Sequence, residues 1–204
     1  MRAARFLLVR HGETASNRED RFRGRLDVPL NDSGRRQAEA AGRALAGEPI
    51  RAVYSSPLSR ALDTAKALAL PHGLEPVPYE PILDFHFGDW QGKLRPEARS
   101  AWPEHYRLYE RDPARFRAPG GESFAELLER VREGLLALAA RHGGETIALA
   151  SHAVVCKAAL LVAQGFGLER YWDVKAGNCS ISEFSHGPSG WILARADDRR
   201  HLEK

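Results

Sequence analysis

Arg5-Phe6-Leu7-Leu8-Val9 runs directly into Arg10-His11-Gly12-Glu13-Thr14, and this junction decides the fold. The nearly unbroken apolar run is the pattern of a short strand buried on both faces. Residues 51–54 and 146–150 (Thr-Ile-Ala-Leu-Ala) read the same way. Amphipathic helices lie between them. One spans 33–46 after the breaker-rich Pro29 to Asp32, and another spans 57–70 with Leu58, Leu62, Ala65 and Leu68 at helical spacing. The clearest helix is 124–140, where Phe124, Leu127, Leu128, Val131, Leu135 and Leu138 form one stripe. It opens on the capping box Ser123-Phe124-Ala125-Glu126 and is followed by Gly143-Gly144. Residues 153–164 read as a further helix, and 179–184 and 191–194 as two strands around a Gly187-Pro188-Ser189-Gly190 turn. Alternation of strands and helices predicts an α/β fold, a three-layer sandwich with a mostly parallel sheet flanked by helices.

The 204 residues suit one domain, with 43% hydrophobic and 28% charged residues, a composition that excludes disordered and collagenous classes. No linker or repeat divides the chain, so 1–204 is read as a single domain. Residues 85–120 fit least well, with Trp90, Trp102, Tyr106, Tyr109 and Phe116 among charges and no clean period. They are read as a lid-like insertion over the sheet, whose aromatics would alternatively serve a homodimer. No apolar run approaches the ~18 residues a membrane span needs, and the four apolar residues Phe6 to Val9 are too few for a signal-peptide core. The expectation is a cytoplasmic protein with no membrane partner. Cys156 and Cys179 match no zinc or redox spacing and read as buried small hydrophobes. Residues 1–60 hold 12 Arg against 7 Asp plus Glu. Without a Lys/Arg-rich run or an interleaved aromatic stripe, that excess points to a small anionic substrate rather than nucleic acid.

In open α/β sheets ligands bind where strand C-termini meet helix N-termini. The first strand delivers Arg10 and His11 there, and the third delivers Ser151-His152. The second ends in Ser55-Ser56-Pro57-Leu58-Ser59-Arg60, with Ser56 read as a helix N-cap and Pro57 as the first helical residue. Asp84 and His86 precede Gly88-Asp89-Trp90-Gln91-Gly92. Arginine forks match phosphate oxygens and helix N-termini offer free N–H donors, so this edge describes a phosphate pocket. An imidazole kept neutral by neighbouring Arg charges can attack phosphorus, and a carboxylic acid at Asp84 can protonate the leaving alkoxide.

These blocks resemble the histidine phosphatase superfamily, the phosphoglycerate mutase-like proteins. The resemblance rests on Leu8-Val9-Arg10-His11-Gly12-Glu13-Thr14 with Asn17, Arg21-Phe22-Arg23-Gly24, Asp27 and Leu30-Asn31-Asp32-Ser33-Gly34. It continues through Ser55-Ser56-Pro57-Leu58-Ser59-Arg60-Ala61, Phe87-Gly88-Asp89-Trp90-Gln91-Gly92, Gly120-Gly121-Glu122-Ser123 and Ser151-His152, in family order over nearly the whole chain. It implies a phosphoglycerate mutase-like fold and His11 as the nucleophile that forms a phosphohistidine. It implies that Arg10, Arg60 and His152 clamp the phosphoryl oxygens with help from Asn17, and that neither metal nor cofactor takes part. No HExxH or clustered metal-ligand spacing occurs. The family's proton donor is usually Glu; its position here holds Asp84, one methylene shorter, with Glu80 as the fallback. Glu13 is read as structural support, and His86 as facing either pocket or surface.

Arg23 stands where family members commonly carry Thr or Gln, and an extra guanidinium beside Gly24 would bind a second anionic group of the substrate. The C-terminal Arg199-Arg200-His201-Leu202 resembles relatives whose tail approaches the site, which puts His201 among the substrate-binding candidates. His72, His105, His142 and His186 are read as solvent-facing. The vaguely P-loop-like Gly88-Asp89-Trp90-Gln91-Gly92-Lys93 has three residues between its glycines and Leu94 where Ser or Thr is required. The expected activity is metal-independent hydrolysis of small phosphorylated metabolites. The alternatives are a cofactor-dependent phosphoglycerate mutase and a non-catalytic phospho-ligand sensor. Mutases of the family carry a longer insertion that closes the site against water, whereas only 27 residues separate Gly92 from Gly120 here, so hydrolysis is favoured.

Overall fold

The first apolar run becomes β1 (Ala4–Arg10), an inner strand of a six-stranded sheet in the order β3-β2-β4-β1-β5-β6. The structure, a computed structural model, describes residues 2–203, at Arg18 the backbone alone. The parallel part comprises β1, β2 (Ile50–Ser55), β3 (Pro76–Pro78) and β4 (Thr146–Ser151). On the other side, β5 (Ile181–Gly187) and β6 (Gly190–Asp198) add antiparallel strands joined by the predicted turn. Every residue of β4 is buried, as an unbroken apolar strand between two helical layers requires.

Alternation along β1 divides the core. Leu7 and Val9 face α1 (Asp32–Leu45) and α2 (Ser59–Ala69), where Ala38, Ala41, Leu45, Ala65 and Leu68 fill one layer. Phe6 and Leu8 face α5 (Phe124–Arg141) and α6 (Ala153–Gln164), with Leu127, Val131, Leu135 and Leu160 opposite. This is the predicted three-layer sandwich. The capping box is present: Ser123 Oγ accepts from Glu126 N–H at 3.2 Å, and the Glu126 carboxylate accepts from Ser123 N–H at 2.9 Å. Both cysteines are buried and unpaired.

Several readings need correction. Helix α2 starts at Ser59 after an extended Leu58, and Ser56 does not cap it; Asp27 reaches in from another loop. Its Oδ1 accepts from Ser59 N–H at 2.9 Å and from Ser59 Oγ at 2.7 Å. The strand expected from Cys179 begins at Ile181, since Cys179 takes a positive φ of 49° and donates its N–H to the Arg10 carbonyl at 3.0 Å. Strand β3, three residues with two prolines at the sheet edge, gave no periodic signal.

Residues 85–120 hold α3 (Arg95–Ala101) and α4 (Pro103–Arg111). Trp90, Tyr106, Tyr109 and Phe116 are buried against Phe22, Phe85 and Phe124, so these rings complete a core, while Trp102 is half-buried. Their period is irregular because loops and short helices each contribute one or two rings. Of the four histidines expected at the surface, only His105 is exposed, while His72 and His186 are half-buried. His142 is buried between Tyr54 Oη (2.9 Å) and Glu145 (2.7 Å), because it caps the end of α5 beneath β2. No helix among the described residues is long and apolar enough to cross a membrane.

Candidate active site

Strand register assembles the site. Arg10 pairs with Ser151 across β1 and β4, and Ser55 pairs with Ala150 across β2 and β4. The next residues, His11, His152 and Ser56, therefore emerge side by side. Main-chain bonds from His11 N–H to Ser151 O (2.8 Å) and from Ser56 N–H to Ala150 O (3.0 Å) carry the register past the strand ends. A Cβ on Gly12 would stand 2.3 Å from the Gly34 carbonyl oxygen, so glycine is required for the chain after His11 to press against the first turn of α1.

His11 is 3% exposed, and its Nδ1–H donates to the Gly12 carbonyl at 2.7 Å. That bond fixes the tautomer with the lone pair on Nε2, which no described residue engages. Burial foremost, then His152, Arg10 and Arg60, hold the imidazole well below the usual 6.5, so it is neutral. Asn178 Nδ2 donates to the His11 carbonyl at 3.0 Å.

Arg60 is fully buried and spends four of its five N–H donors inside the protein. Nε donates to His152 Nδ1 (3.2 Å), Nη1 to Leu26 O (2.8 Å), and Nη2 to Gly24 O (2.7 Å) and Asp84 Oδ2 (2.9 Å). His152 in turn contacts Ser56 Oγ through Nε2 at 2.7 Å, and its ring lies 5.3 Å from that of His11. Burial, then Arg60 and Arg10, keep His152 neutral as well. Asp84 is 7% exposed. Burial raises its carboxyl above the usual 3.8, against the opposing pull of Arg60.

Arg10 and Arg23 complete the cluster. Arg10 donates Nη1 to Ala176 O at 2.7 Å, while its buried Nε has no partner. Arg23 donates Nη1 to Thr14 Oγ1 at 2.9 Å, and burial with the charges of Arg10 and Arg60 lowers it to about 10. Among the described residues, no carboxylate lies within the 4.0 Å of an ion pair from either guanidinium. Three arginines, two neutral imidazoles and one carboxyl thus converge on a place that favours an anion.

Other candidates sit differently. Asn17 Oδ1 accepts from Thr14 N–H (2.9 Å) and Thr14 Oγ1 (2.8 Å), so its carbonyl is used to shape the turn after His11. Gly24 offers its carbonyl to Arg60 rather than to a ligand. Glu80 is exposed, outside the cluster, and His86 is half-buried. His201 is not brought to the cluster. Its turn, Arg200–Leu202, packs on α1, where Leu202 joins the core and His201 lines a groove of about 750 Å³ with Ser33, Arg36 and Gln37. Sequence reasoning assigned no role to Thr14, which accepts from Arg23, or to Asn178, which holds the His11 carbonyl, and it gave Ser56 the wrong task. Among the described residues, no group of three His, Cys, Asp or Glu side chains is placed to hold a metal ion.

The model of the histidine phosphatase superfamily (branch 1) matches residues 6–199. Phosphoserine phosphatase 1 of Hydrogenobacter thermophilus is 33% identical over 178 residues, covering 87% of this chain and 84% of that one. The metal-independent phosphoserine phosphatase of Arabidopsis thaliana is 34% identical over 201 residues, covering 96% and 82%. The solved structure of Bacillus stearothermophilus YhfR superposes with a TM-score of 0.92 at 29% identity, over 98% of this chain and 100% of that one.

Proposed function

Because this chain belongs to branch 1 of the histidine phosphatase superfamily, we propose that it hydrolyses small phosphomonoesters without a metal ion, through a phosphohistidine on His11. Membership and phosphatase relatives support a phosphatase in general. The finer reading is carried by the free lone pair of His11 Nε2 among Arg10, Arg23 and Arg60. In the first step Nε2 attacks phosphorus and the P–O bond to the leaving group breaks, while Asp84 gives its proton to the departing oxygen. In the second, water attacks the phosphorus, Asp84 takes a water proton, and the P–N bond breaks to restore neutral His11. The arginines neutralise charge on the phosphoryl oxygens through both steps.

Charge pairing narrows the substrate. Asp84 already pairs with Arg60, while the Arg23 guanidinium, bonded to Thr14 Oγ1, has no carboxylate partner among the described residues. A second anionic group on the substrate, such as a carboxylate, would match it. Phosphoserine phosphatases among the relatives support a small phosphorylated acid.

Phosphate release from a panel of phosphomonoesters, with EDTA and without added metal, tests the function. Release is expected to survive EDTA and to rank phosphoserine or 3-phosphoglycerate above an uncharged alkyl phosphate. Loss of all release in EDTA would overturn the metal-free reading. Transfer of the phosphoryl group to a glycerate acceptor in place of release would make it a mutase. In Arg23→Gln, KM for the acid-bearing ester is expected to rise by about tenfold or more, the cost of leaving a buried charged group unpaired. KM for p-nitrophenyl phosphate should change far less, and equal changes would remove Arg23 as the second anion's partner.

A further inference from the structure

The segment that carries Asp84 is held from behind by two side chains with no part in the chemistry. Arg130, from the second turn of α5, donates Nη1 to the Pro81 carbonyl at 2.9 Å and Nη2 to the Asp84 carbonyl at 3.3 Å. One guanidinium thus fastens both ends of residues 81–84. Glu122 locks that guanidinium in place, accepting Nε on Oε1 at 2.6 Å and Nη2 on Oε2 at 3.1 Å. Glu122 also grips the far side of Asp84, with Oε2 accepting from His86 N–H at 3.3 Å and its own N–H donating to His86 O at 2.9 Å. Arg25 Nε adds a second donor to the Asp84 carbonyl at 3.2 Å.

The fit is close enough to demand glycine at Gly121, where a Cβ would stand 2.2 Å from the His86 carbonyl oxygen. The side chains of Glu122 and Arg130 are only 10% and 22% exposed. Removing such a pair from water costs about as much as the attraction returns, so its contribution to stability is small. Its consequence is where it puts the backbone of Asp84. An aspartyl carboxyl sits one C–C bond, about 1.5 Å, closer to its own main chain than a glutamyl one. To bring that carboxyl to the oxygen of a leaving group, the main chain itself must be set deeper.

We propose that Glu122 and Arg130 are positioning residues that set the depth of the Asp84 backbone, and so let a short side chain serve as proton donor. The proposal rests on the reading of Asp84 as the acid. It predicts a defect centred on proton donation, since neither side chain hydrogen-bonds to His11, Arg10, Arg60 or His152.

The test compares Arg130→Lys and Glu122→Gln with the parent on esters of rising leaving-group pKa, after circular dichroism shows each variant folded. For a poor leaving group such as phosphoserine, kcat is expected to fall between about tenfold and a hundredfold, the scale of a displacement of an ångström or less. KM should hold, and p-nitrophenyl phosphate turnover should stay within about threefold, because its leaving group needs little protonation. Asp84→Glu is expected to slow the parent yet to recover part of the loss in the Arg130→Lys background, where the loosened segment accepts a longer acid. Equal slowing of good and poor leaving groups, or no recovery, would overturn the brace. Glu122→Gln keeps the side chain's volume, so the comparison stands even if Arg130→Lys does not fold. If Asp84→Asn itself shows no leaving-group dependence, the acid reading fails first. If Asp84→Asn shows it and the two brace variants do not, only the brace fails.

Discussion

His11→Ala is expected to lower phosphomonoester turnover by on the order of 10⁴-fold or more, because removing a nucleophile abolishes the covalent route rather than weakening it. The variant should stay folded. The ring hydrogen-bonds only to its neighbour's carbonyl, and the main-chain bond from His11 N–H to Ser151 O survives the change. Rapid-quench labelling with a radioactive phosphomonoester should trap an acid-labile, base-stable phosphoprotein in the parent and none in the variant. Retention of substantial turnover would mean that water attacks phosphorus directly, leaving the arginine cluster as an electrostatic clamp alone. Because burial and three cationic or imidazole neighbours lower the His11 pKa, the acid limb of the rate should lie well below pH 6.5, where an exposed histidine would already protonate.

Asp84→Asn should cost about 10²- to 10⁴-fold on alkyl phosphates, the usual worth of a positioned general acid. On p-nitrophenyl phosphate the loss should be small. The variant also has a pH signature. Burial raises the Asp84 carboxyl above 3.8, so the donating, protonated form persists to a higher pH than an exposed aspartate allows. The kcat/KM of the parent for alkyl esters should fall as pH rises through that raised value, and the amide variant should lose this limb. A limb that persists unchanged in Asp84→Asn would assign it to another group. The second step needs the ionised form, and the hydrogen bond from Arg60 Nη2 at 2.9 Å supplies the stabilisation for it.

Much of this was legible in the sequence. Short apolar runs placed β1, β2 and β4, because a strand buried on both faces cannot alternate. Strand ends then delivered Arg10, His11 and His152 to one edge without any knowledge of side-chain contacts. Contacts across the chain were not legible. Asp27 capping α2, Asn178 holding the His11 carbonyl and Arg130 reaching Pro81 are each long-range bonds between residues that look like ordinary surface polars. Ser56 misled because a serine before Pro57 carries a strong local capping signal, while its true partner lies 96 positions away. His142 misled because its partner Tyr54, which helps bury it, lies 88 positions away. The aromatic segment 85–120 hid its role because Trp90, Tyr106, Tyr109 and Phe116 pack onto rings from other elements.

The loop that holds Arg23 is tied to the start of α2 in two ways. Gly24 and Leu26 lend their carbonyls to Arg60, and Asp27 anchors Ser59 one residue earlier. On the function proposed above, substrate discrimination and the phosphate grip are therefore one mechanical part, as in a key whose teeth are cut into its own handle. A change that retunes this loop for a different acid moves the phosphate grip with it.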